Sequence, residues 1–216
     1  MLLPFGPWRP RPGGGFHPNH AQIIASQVKD KLKRPDVELH VVPVVWGKPG
    51  EVVGKVIDDA KKDGKNIDMI LSIGEGPSNS IVVEKVGGNK RDPIPDINNK
   101  IPGVDVSVVN DDSVTDPKYK PPKHELEKSV HLTDPTQLID EIKDELANHR
   151  RPAFPVGPGT EAGNYLCDEM CYDLGTAIGK DDSIVRDGHF IHIPPLRPDG
   201  TVPDPQVDES GKSQII

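Results

Sequence analysis

The chain contains two cysteines, Cys167 and Cys171, four residues apart in the stretch GNYLCDEMCYDL. This stretch predicts a helix over residues 164–178, which Gly179 ends. Cys167 then lies in the first turn, where backbone N–H groups lack helical partners and the helix dipole is positive. Because that environment favours the thiolate, Cys167 is a candidate nucleophile, with ordinary packing as the alternative. Cys171, one turn deeper, is interpreted as a small buried apolar side chain.

Two other uses of the cysteines are weaker. A disulfide between them is disfavoured, because residues four apart on a helix share one face and their Cβ atoms point the same way. Together with His189 and His192 they match a zinc ligand set in number only. If the segment FIHI (190–193) is a strand that extends back to His189, the side chains at positions 189 and 192 point to opposite faces of the sheet. A zinc-binding module remains a minor alternative, and we expect no cofactor.

A cysteine nucleophile requires a general base, and His192 is the candidate. It lies at the end of the apolar strand 190–193, and in open α/β sheets the strand ends carry functional sites. A buried structural histidine is the alternative. A carboxylate would orient the imidazole, and Glu84 follows three apolar residues in SIVVEKVGG. A solvent-facing glutamate on an alternating strand is the alternative for that residue.

Apolar periodicity and breaker residues predict the elements that position these side chains. Asn19 and Thr133 or Asp134 are predicted helix caps, and Pro49 and Pro135 are predicted first helical residues. The predicted helices are 21–33, 51–62, 135–147 and 164–178, and the predicted strands are 37–46, 67–73, 104–109 and 190–193. Alternating helices and strands favour an α/β fold with a parallel sheet.

Composition restricts the class of protein. The formal net charge of the 216 residues is −8 and the isoelectric point is about 5.5, which argues against a nucleic-acid partner. No apolar run reaches the roughly 20 residues that a membrane helix needs, and the N-terminal residues lack the pattern of a signal peptide. We therefore expect a cytoplasmic protein that does not bind membranes, and the sequence leaves a homo-oligomer open.

An ordered set of segments resembles the pyroglutamyl-peptidase I (pyrrolidone-carboxylate peptidase) family of cysteine peptidases. The segments are LPFG (3–6), HPNHA (17–21), VPVVWGK (42–48), ILSIGEGPSNSIVVEKVGGN (70–89), IPDINNKIP (94–102), AGNYLCDEMCYDL (162–174) and FIHIPPL (190–196). The resemblance implies one α/β domain over residues 1–196, an open twisted sheet with helices on both faces, of the phosphorylase/hydrolase-like type. Independently of the resemblance, turn-forming and charged residues predict a loop insertion at 110–130, and polar, proline-rich composition predicts a tail at 197–216.

The resemblance also implies an activity and the residues that perform it. The family removes N-terminal pyroglutamyl residues from peptides through a catalytic triad, which corresponds here to Cys167, His192 and Glu84. The aromatic ring two residues before the cysteine, here Tyr165, lies against the pyroglutamyl ring. Phe5 corresponds to a second residue that lines the lactam pocket, and Glu75 corresponds to the polar residue after the central strand.

The chain departs from the family pattern around these residues. Leu2 stands where a second pocket phenylalanine is expected, and the first strand is absent or reduced to Leu2 and Leu3. The family's Cys-Asn-His is Cys167-Asp168-Glu169, and an arginine on the oxyanion side has no counterpart. Two functions therefore remain open: an active peptidase, or a protein with the family fold and little or no activity that acts in binding.

Overall fold

The computed structural model describes residues 1–7, 9–10, 16–17, 19–76, 79–88, 94, 96–98, 129–148, 155–160, 162–163 and 165–195. These residues form, in chain order, β1 (Leu2–Pro4), β2 (Arg9–Pro10), β3 (Phe16–His17), α1 (His20–Leu32), α2 (Lys48–Lys62), β4 (Ile67–Glu75), β5 (Ile81–Glu84), β6 (Val86–Gly88), β7 (Ser129–His131), α3 (Thr136–Asn148), β8 (Val156–Gly159), α4 (Leu166–Ile178) and β9 (Val185–Ile193). The predicted strand at 104–109, almost all of the predicted insertion and the predicted tail lie outside the described residues.

The central sheet has five strands in the order β1-β4-β9-β5-β8. Strands β1, β4 and β9 are parallel to one another, β5 is antiparallel to β9, and β8 is parallel to β5. The α/β class is confirmed, but the sheet is mixed rather than parallel throughout. The connection from β4 to β5 covers only residues 76–80. That is too short for the helical crossover that a parallel arrangement needs, so β5 runs back along the sheet.

Helices cover both faces of this sheet, as predicted. Alternate residues of a strand point to opposite faces, and the core divides accordingly. On one face Ile70 and Phe190 pack with apolar residues of α2 and α4. On the other face Ile73 packs with α1, and Ile191 packs with α3. The two packed layers hold the carboxyl ends of β4 and β9 beside the N-terminus of α4.

The predicted helices are all present, with small differences at their ends. The side chain of Asn19 caps α1 by accepting a hydrogen bond from the Ala21 N–H at 2.9 Å, as predicted. Helix α2 begins at Lys48, one residue before Pro49, which the sequence placed at the helix start. Helix α3 begins at Thr136, whose N–H donates to Asp134 at 2.9 Å. No helix in the described ranges has both the length and the apolar character that crossing a bilayer requires.

Residues 37–46 do not form the predicted strand, but they lie at the edge of the sheet, as expected from Pro43 in that segment. That segment runs along the outer edge of β1 and forms isolated parallel bridges at Leu39 and Val42. The backbone N–H of His40 donates a hydrogen bond to the Leu2 carbonyl at 2.9 Å, and the Val42 carbonyl accepts one from the Gly6 N–H at 2.8 Å. Pro43 interrupts the ladder directly after these contacts because it has no N–H to donate.

Two further features of the fold help to position the site. Strand β1 is a short edge strand of three residues, with Leu2 in register with Leu71 of β4, in agreement with the expectation that it is reduced. Strands β6 and β7 form an antiparallel ribbon that packs on α4. The ribbon begins two residues after Glu84, so it fixes the chain immediately beyond that carboxylate to the helix that carries Cys167.

Candidate active site

Three predicted site residues lie together at one end of the central sheet. Cys167 is the second residue of α4, His192 is the penultimate residue of β9, and Glu84 is the last residue of β5. Strands β5 and β9 are neighbours in the sheet, with Glu84 opposite Phe190 and therefore two positions from His192. Positions 84, 190 and 192 all face α4, so the sheet directs the carboxylate and the imidazole towards the helix N-terminus.

A buried hydrogen bond joins the imidazole to the carboxylate. Nδ1 of His192 lies 2.8 Å from Oε1 of Glu84, and the two residues are 8% and 2% exposed. The edge of the Phe190 ring packs against the imidazole, with ring centroids 4.9 Å apart. Because Nδ1 is engaged by the carboxylate, Nε2 is the nitrogen left for proton exchange with another group.

The thiol of Cys167 reaches the same imidazole. Its proximity contributes to the raised pKa of His192. Both groups pack against Gly74 of β4: a Cβ atom there would lie 3.2 Å from Sγ of Cys167 and 3.4 Å from Cδ2 of His192. The structure thus places the sulfur near the imidazole, whose Nδ1 is hydrogen-bonded to the carboxylate.

The two partners of His192 keep its ring charged at neutral pH. Burial opposes the charge and lowers the pKa of His192, but hydrogen bonds and electrostatic attraction from Cys167 and Glu84 raise it more, from 6.5 to about 9. The imidazole is therefore a proton donor in the resting site.

The two acids that follow Cys167 are bound to backbone amides. Oδ1 of Asp168 accepts a hydrogen bond from the Gly88 N–H at 2.7 Å, and Oε1 of Glu169 accepts one from the Gly47 N–H at 2.8 Å. Both carboxylates are buried. They fasten α4 to the β6–β7 ribbon and to the start of α2, which stabilises the position of the helix end that carries Cys167.

A small cavity of about 80 Å³ opens beside the sulfur. All three residues predicted to bind substrate lie in its wall together with Cys167. The complete lining is Phe5, Asn19, Val44, Glu75, Tyr165, Leu166 and Cys167. The wall is mainly apolar, with one carboxylate and one amide, which suits a small ring that carries a polar group.

Trp46 supports the aromatic wall and was not singled out from the sequence. Its ring meets the Tyr165 ring edge-on, with centroids 5.1 Å apart. Its Nε1–H donates to the Ile94 carbonyl at 3.1 Å. In the sequence, Trp46 follows a run of valines and is indistinguishable from an ordinary core residue, so no local signal marks it.

Cys171 lies fully buried one turn below Cys167. Burial, followed by the nearby negative groups, raises the pKa of its thiol well above the usual value, so it stays protonated.

We expect Cys171→Ala to retain wild-type activity and to lower the free energy of unfolding by about 1 kcal/mol, as a small core truncation does. Denaturant unfolding and a peptidase assay measure the two effects. Complete loss of activity in a folded variant would contradict this packing role.

The four residues of the zinc alternative do not come together. His189 and His192 point to opposite faces of β9, as their spacing predicts. Within the described residues, no group of three or more His, Cys, Asp or Glu side chains is arranged to hold a metal ion. Cys167, His192 and Glu84 instead lie next to one another as a thiol, an imidazole and a carboxylate, which is the arrangement of a cysteine hydrolase.

Comparison with known proteins agrees with this class. The family model described as pyroglutamyl peptidase matches residues 11–212. The pyrrolidone-carboxylate peptidase of Lactobacillus johnsonii is 26% identical over 210 residues, which cover 95% of this chain and 83% of the relative. That of Pyrococcus furiosus is 25% identical over 207 residues, covering 94% and 84%. The chain belongs to the pyroglutamyl peptidase family.

Solved structures show the same fold. Pyroglutamyl peptidase I from Bacillus amyloliquefaciens superposes with a TM-score of 0.66 at 22% identity, over 98% of this chain and 86% of that one. Pyrrolidone carboxyl peptidase from Pyrococcus furiosus gives a TM-score of 0.64 at 25% identity, over 92% and 81%. The predicted fold is therefore confirmed by structural similarity as well as by the family match.

Proposed function

We propose that this protein is a cysteine peptidase that removes the pyroglutamyl residue from the N-terminus of peptides. The observation that carries the proposal is the placement of Cys167, His192 and Glu84 next to one another beside a small, mainly apolar cavity. Family membership supports the substrate class, since the relatives are named as pyroglutamyl or pyrrolidone-carboxylate peptidases. We assign Cys167 as nucleophile, His192 as general acid and base, and Glu84 as the orienting carboxylate.

The first half of the reaction forms a thioester. The thiolate sulfur of Cys167 attacks the carbonyl carbon of the pyroglutamyl residue, and the carbonyl oxygen takes the negative charge. The backbone N–H of Cys167 lies in the first turn of α4, where it is free to donate to that oxygen. The C–N bond then breaks as His192 gives its proton to the leaving amine, which departs as the shortened peptide.

Water completes the cycle. With the proton gone, the imidazole of His192 accepts a proton from water as the water oxygen attacks the thioester carbon. The C–S bond breaks, pyroglutamate leaves, and the sulfur returns as a thiolate beside the charged imidazole. The Glu84 carboxylate holds the ring in place through both halves by its contact with Nδ1, so that the other nitrogen faces the reacting atoms.

The cavity would hold the five-membered lactam ring. Phe5 and Tyr165 offer aromatic surface to the ring, and Glu75 offers a carboxylate that accepts a hydrogen bond from the ring N–H. Both cysteines are free thiols, which suits a reducing compartment, and we propose the cytoplasm as the location. The natural substrates would be peptides whose N-terminal glutamine or glutamate has cyclised.

A fluorogenic assay tests the proposal. Purified protein is incubated with pyroglutamyl-aminomethylcoumarin, and released coumarin is measured for the wild type, for Cys167→Ser and for Cys171→Ala as the matched control. We expect turnover in the wild type and in Cys171→Ala, and none above background in Cys167→Ser. A folded wild type that releases no coumarin would overturn the proposal and favour the alternative of a family member that acts in binding.

A further inference from the structure

The side-chain amide of Asn19 offers a hydrogen-bond donor to the cavity beside Cys167. Asn19 directly precedes α1, and its Oδ1 accepts a hydrogen bond from the Ala21 N–H at 2.9 Å, which caps the helix. This bond also fixes the orientation of the amide, because the amide nitrogen cannot accept a hydrogen bond from an N–H. Nδ2 of Asn19 is therefore the end of the amide that is left for another partner.

That nitrogen has no partner within the part of the chain that the structure describes. It is nevertheless not sealed inside the protein, because the buried side-chain atoms that lack a hydrogen bond do not include it. The residue as a whole is only 5% exposed, and it forms the cavity wall together with Phe5, Tyr165 and Cys167. A donor that is held in place and opens on a mainly apolar cavity suits an acceptor oxygen of a ligand.

Glu75 supplies an acceptor in the same wall. Its Oε1 accepts the His20 N–H at 2.6 Å, and no donor among the described residues occupies its Oε2. Asn19 and His20 are neighbours in the chain, so the start of α1 holds both the donor and the acceptor. The cavity measures only about 80 Å³, so a single small ring in it lies within reach of both groups.

A five-membered lactam carries the complementary groups. The amide inside such a ring is cis, so the carbonyl oxygen and the N–H lie on the same edge of the ring. The oxygen accepts from Asn19 while the N–H donates to Glu75. The ring of an N-terminal proline lacks the carbonyl, so Asn19 would lose water without gaining a partner. Sites built around such a hydrogen bond discriminate strongly against an analogue that cannot form it.

We propose that Asn19 is a specificity-determining residue: its side-chain N–H donates to the lactam carbonyl oxygen, so that the pocket selects a five-membered ring that carries this carbonyl. The inference rests on the proposed peptidase function for the identity of the substrate. Asn19 contacts the ring and no atom of the bond that breaks. The hydrogen bond is the same before and during the reaction, so its loss raises KM and leaves kcat nearly unchanged.

Binding of a free lactam tests the inference without requiring turnover. The probe is 2-pyrrolidone, and its dissociation constant follows from the rise of the thermal midpoint with its concentration. Asn19→Ser keeps an oxygen that caps the helix but removes the amide nitrogen. We expect the dissociation constant to rise about tenfold in this variant. Pyrrolidine, which is the same ring without the carbonyl, should bind the wild type more weakly than 2-pyrrolidone does.

Asn19→Asp is the second variant, because it keeps both the cap and the size of the side chain. Its second oxygen would meet the lactam oxygen, so the dissociation constant of 2-pyrrolidone should rise at least as much as in Asn19→Ser. Asp134→Ser is the matched control. Asp134 accepts the N–H two residues further on at the start of α3, as Asn19 does at α1, but it does not line the cavity. This control should bind 2-pyrrolidone as the wild type does.

Turnover of pyroglutamyl-aminomethylcoumarin separates the inference from the proposed function. In Asn19→Ser, KM should rise about tenfold while kcat stays close to the wild-type value. Folded variants at Asn19 that bind 2-pyrrolidone as tightly as the wild type would overturn the inference and leave the peptidase function intact. A wild type that pyrrolidine stabilises as strongly as 2-pyrrolidone would also overturn it. Asn19-dependent binding of 2-pyrrolidone in a protein that releases no coumarin would support the inference and overturn the peptidase function.

Discussion

Gly159→Ala is expected to lower kcat/KM for the pyroglutamyl substrate about 100-fold in a protein that remains folded. Gly159 of β8 lies in register with Glu84 of β5. A Cβ atom at this position would lie 2.0 Å from Oε2 and 2.7 Å from Oε1 of that carboxylate. The carboxylate would have to move away, and the 2.8 Å contact with His192 would break. Misplacing a catalytic group by about 1 Å has an effect of this size.

The pH profile distinguishes this cause from general damage. In the wild type, catalysis should fall as the pH rises through about 9, because His192 then loses the proton that the leaving amine needs. Glu84 is one of the two groups that raise the pKa of His192. Displacing Glu84 lowers that pKa, so the decline in the variant should begin at a lower pH. A variant that is only less stable would lose activity over the same high-pH range as the wild type.

Gly157→Ala is the matched control in the same strand. A Cβ atom at Gly157 meets no atom within 4 Å, so activity and pH profile should stay as in the wild type. If Gly159→Ala also kept the wild-type rate and alkaline limb, Glu84 would not be the group that orients His192 during catalysis. Thermal unfolding of both variants verifies that they are folded at the assay temperature.

Gly87→Ala should have the largest effect on stability. Gly87 of β6 is buried against the backbone of α4, and a Cβ atom there would lie 2.2 Å from the Tyr172 nitrogen and 2.4 Å from the Cys171 carbonyl carbon. A helix backbone cannot give way as a side chain can, so the ribbon must move. We expect a loss of about 3 kcal/mol in the free energy of unfolding, at the upper end for overpacking. The thermal midpoint should then fall by roughly 6–12 °C.

Gly54→Ala in α2 is the control for this prediction. Its Cβ would meet no atom within 4 Å, and alanine is favoured over glycine inside a helix, so stability should rise by up to about 1 kcal/mol. Calorimetry of both variants gives the comparison. A Gly87→Ala midpoint equal to that of the wild type would mean that the ribbon does not pack against α4 at this distance.

Interactions between residues close together in the sequence determined where the helices form. Helix caps and apolar periodicity predicted the four helices seen in the described residues, because a helix depends on contacts within a few residues. The placement of Cys167 in the first turn of α4 followed for the same reason. The resemblance named six site residues, and the structure brings them together in one place, although their roles stay predictions until activity is measured.

Contacts between residues far apart in the sequence decided the strand directions and the geometry of the site. No local pattern revealed that β5 runs antiparallel to β9, or that Glu84 meets His192, 108 residues away in the chain. The contact between His20 and Glu75 joins a helix start to a strand end, and it arises only when α1 packs on the sheet. Strand order and register are set by which apolar faces can be buried together, and that depends on the whole chain rather than on any short segment.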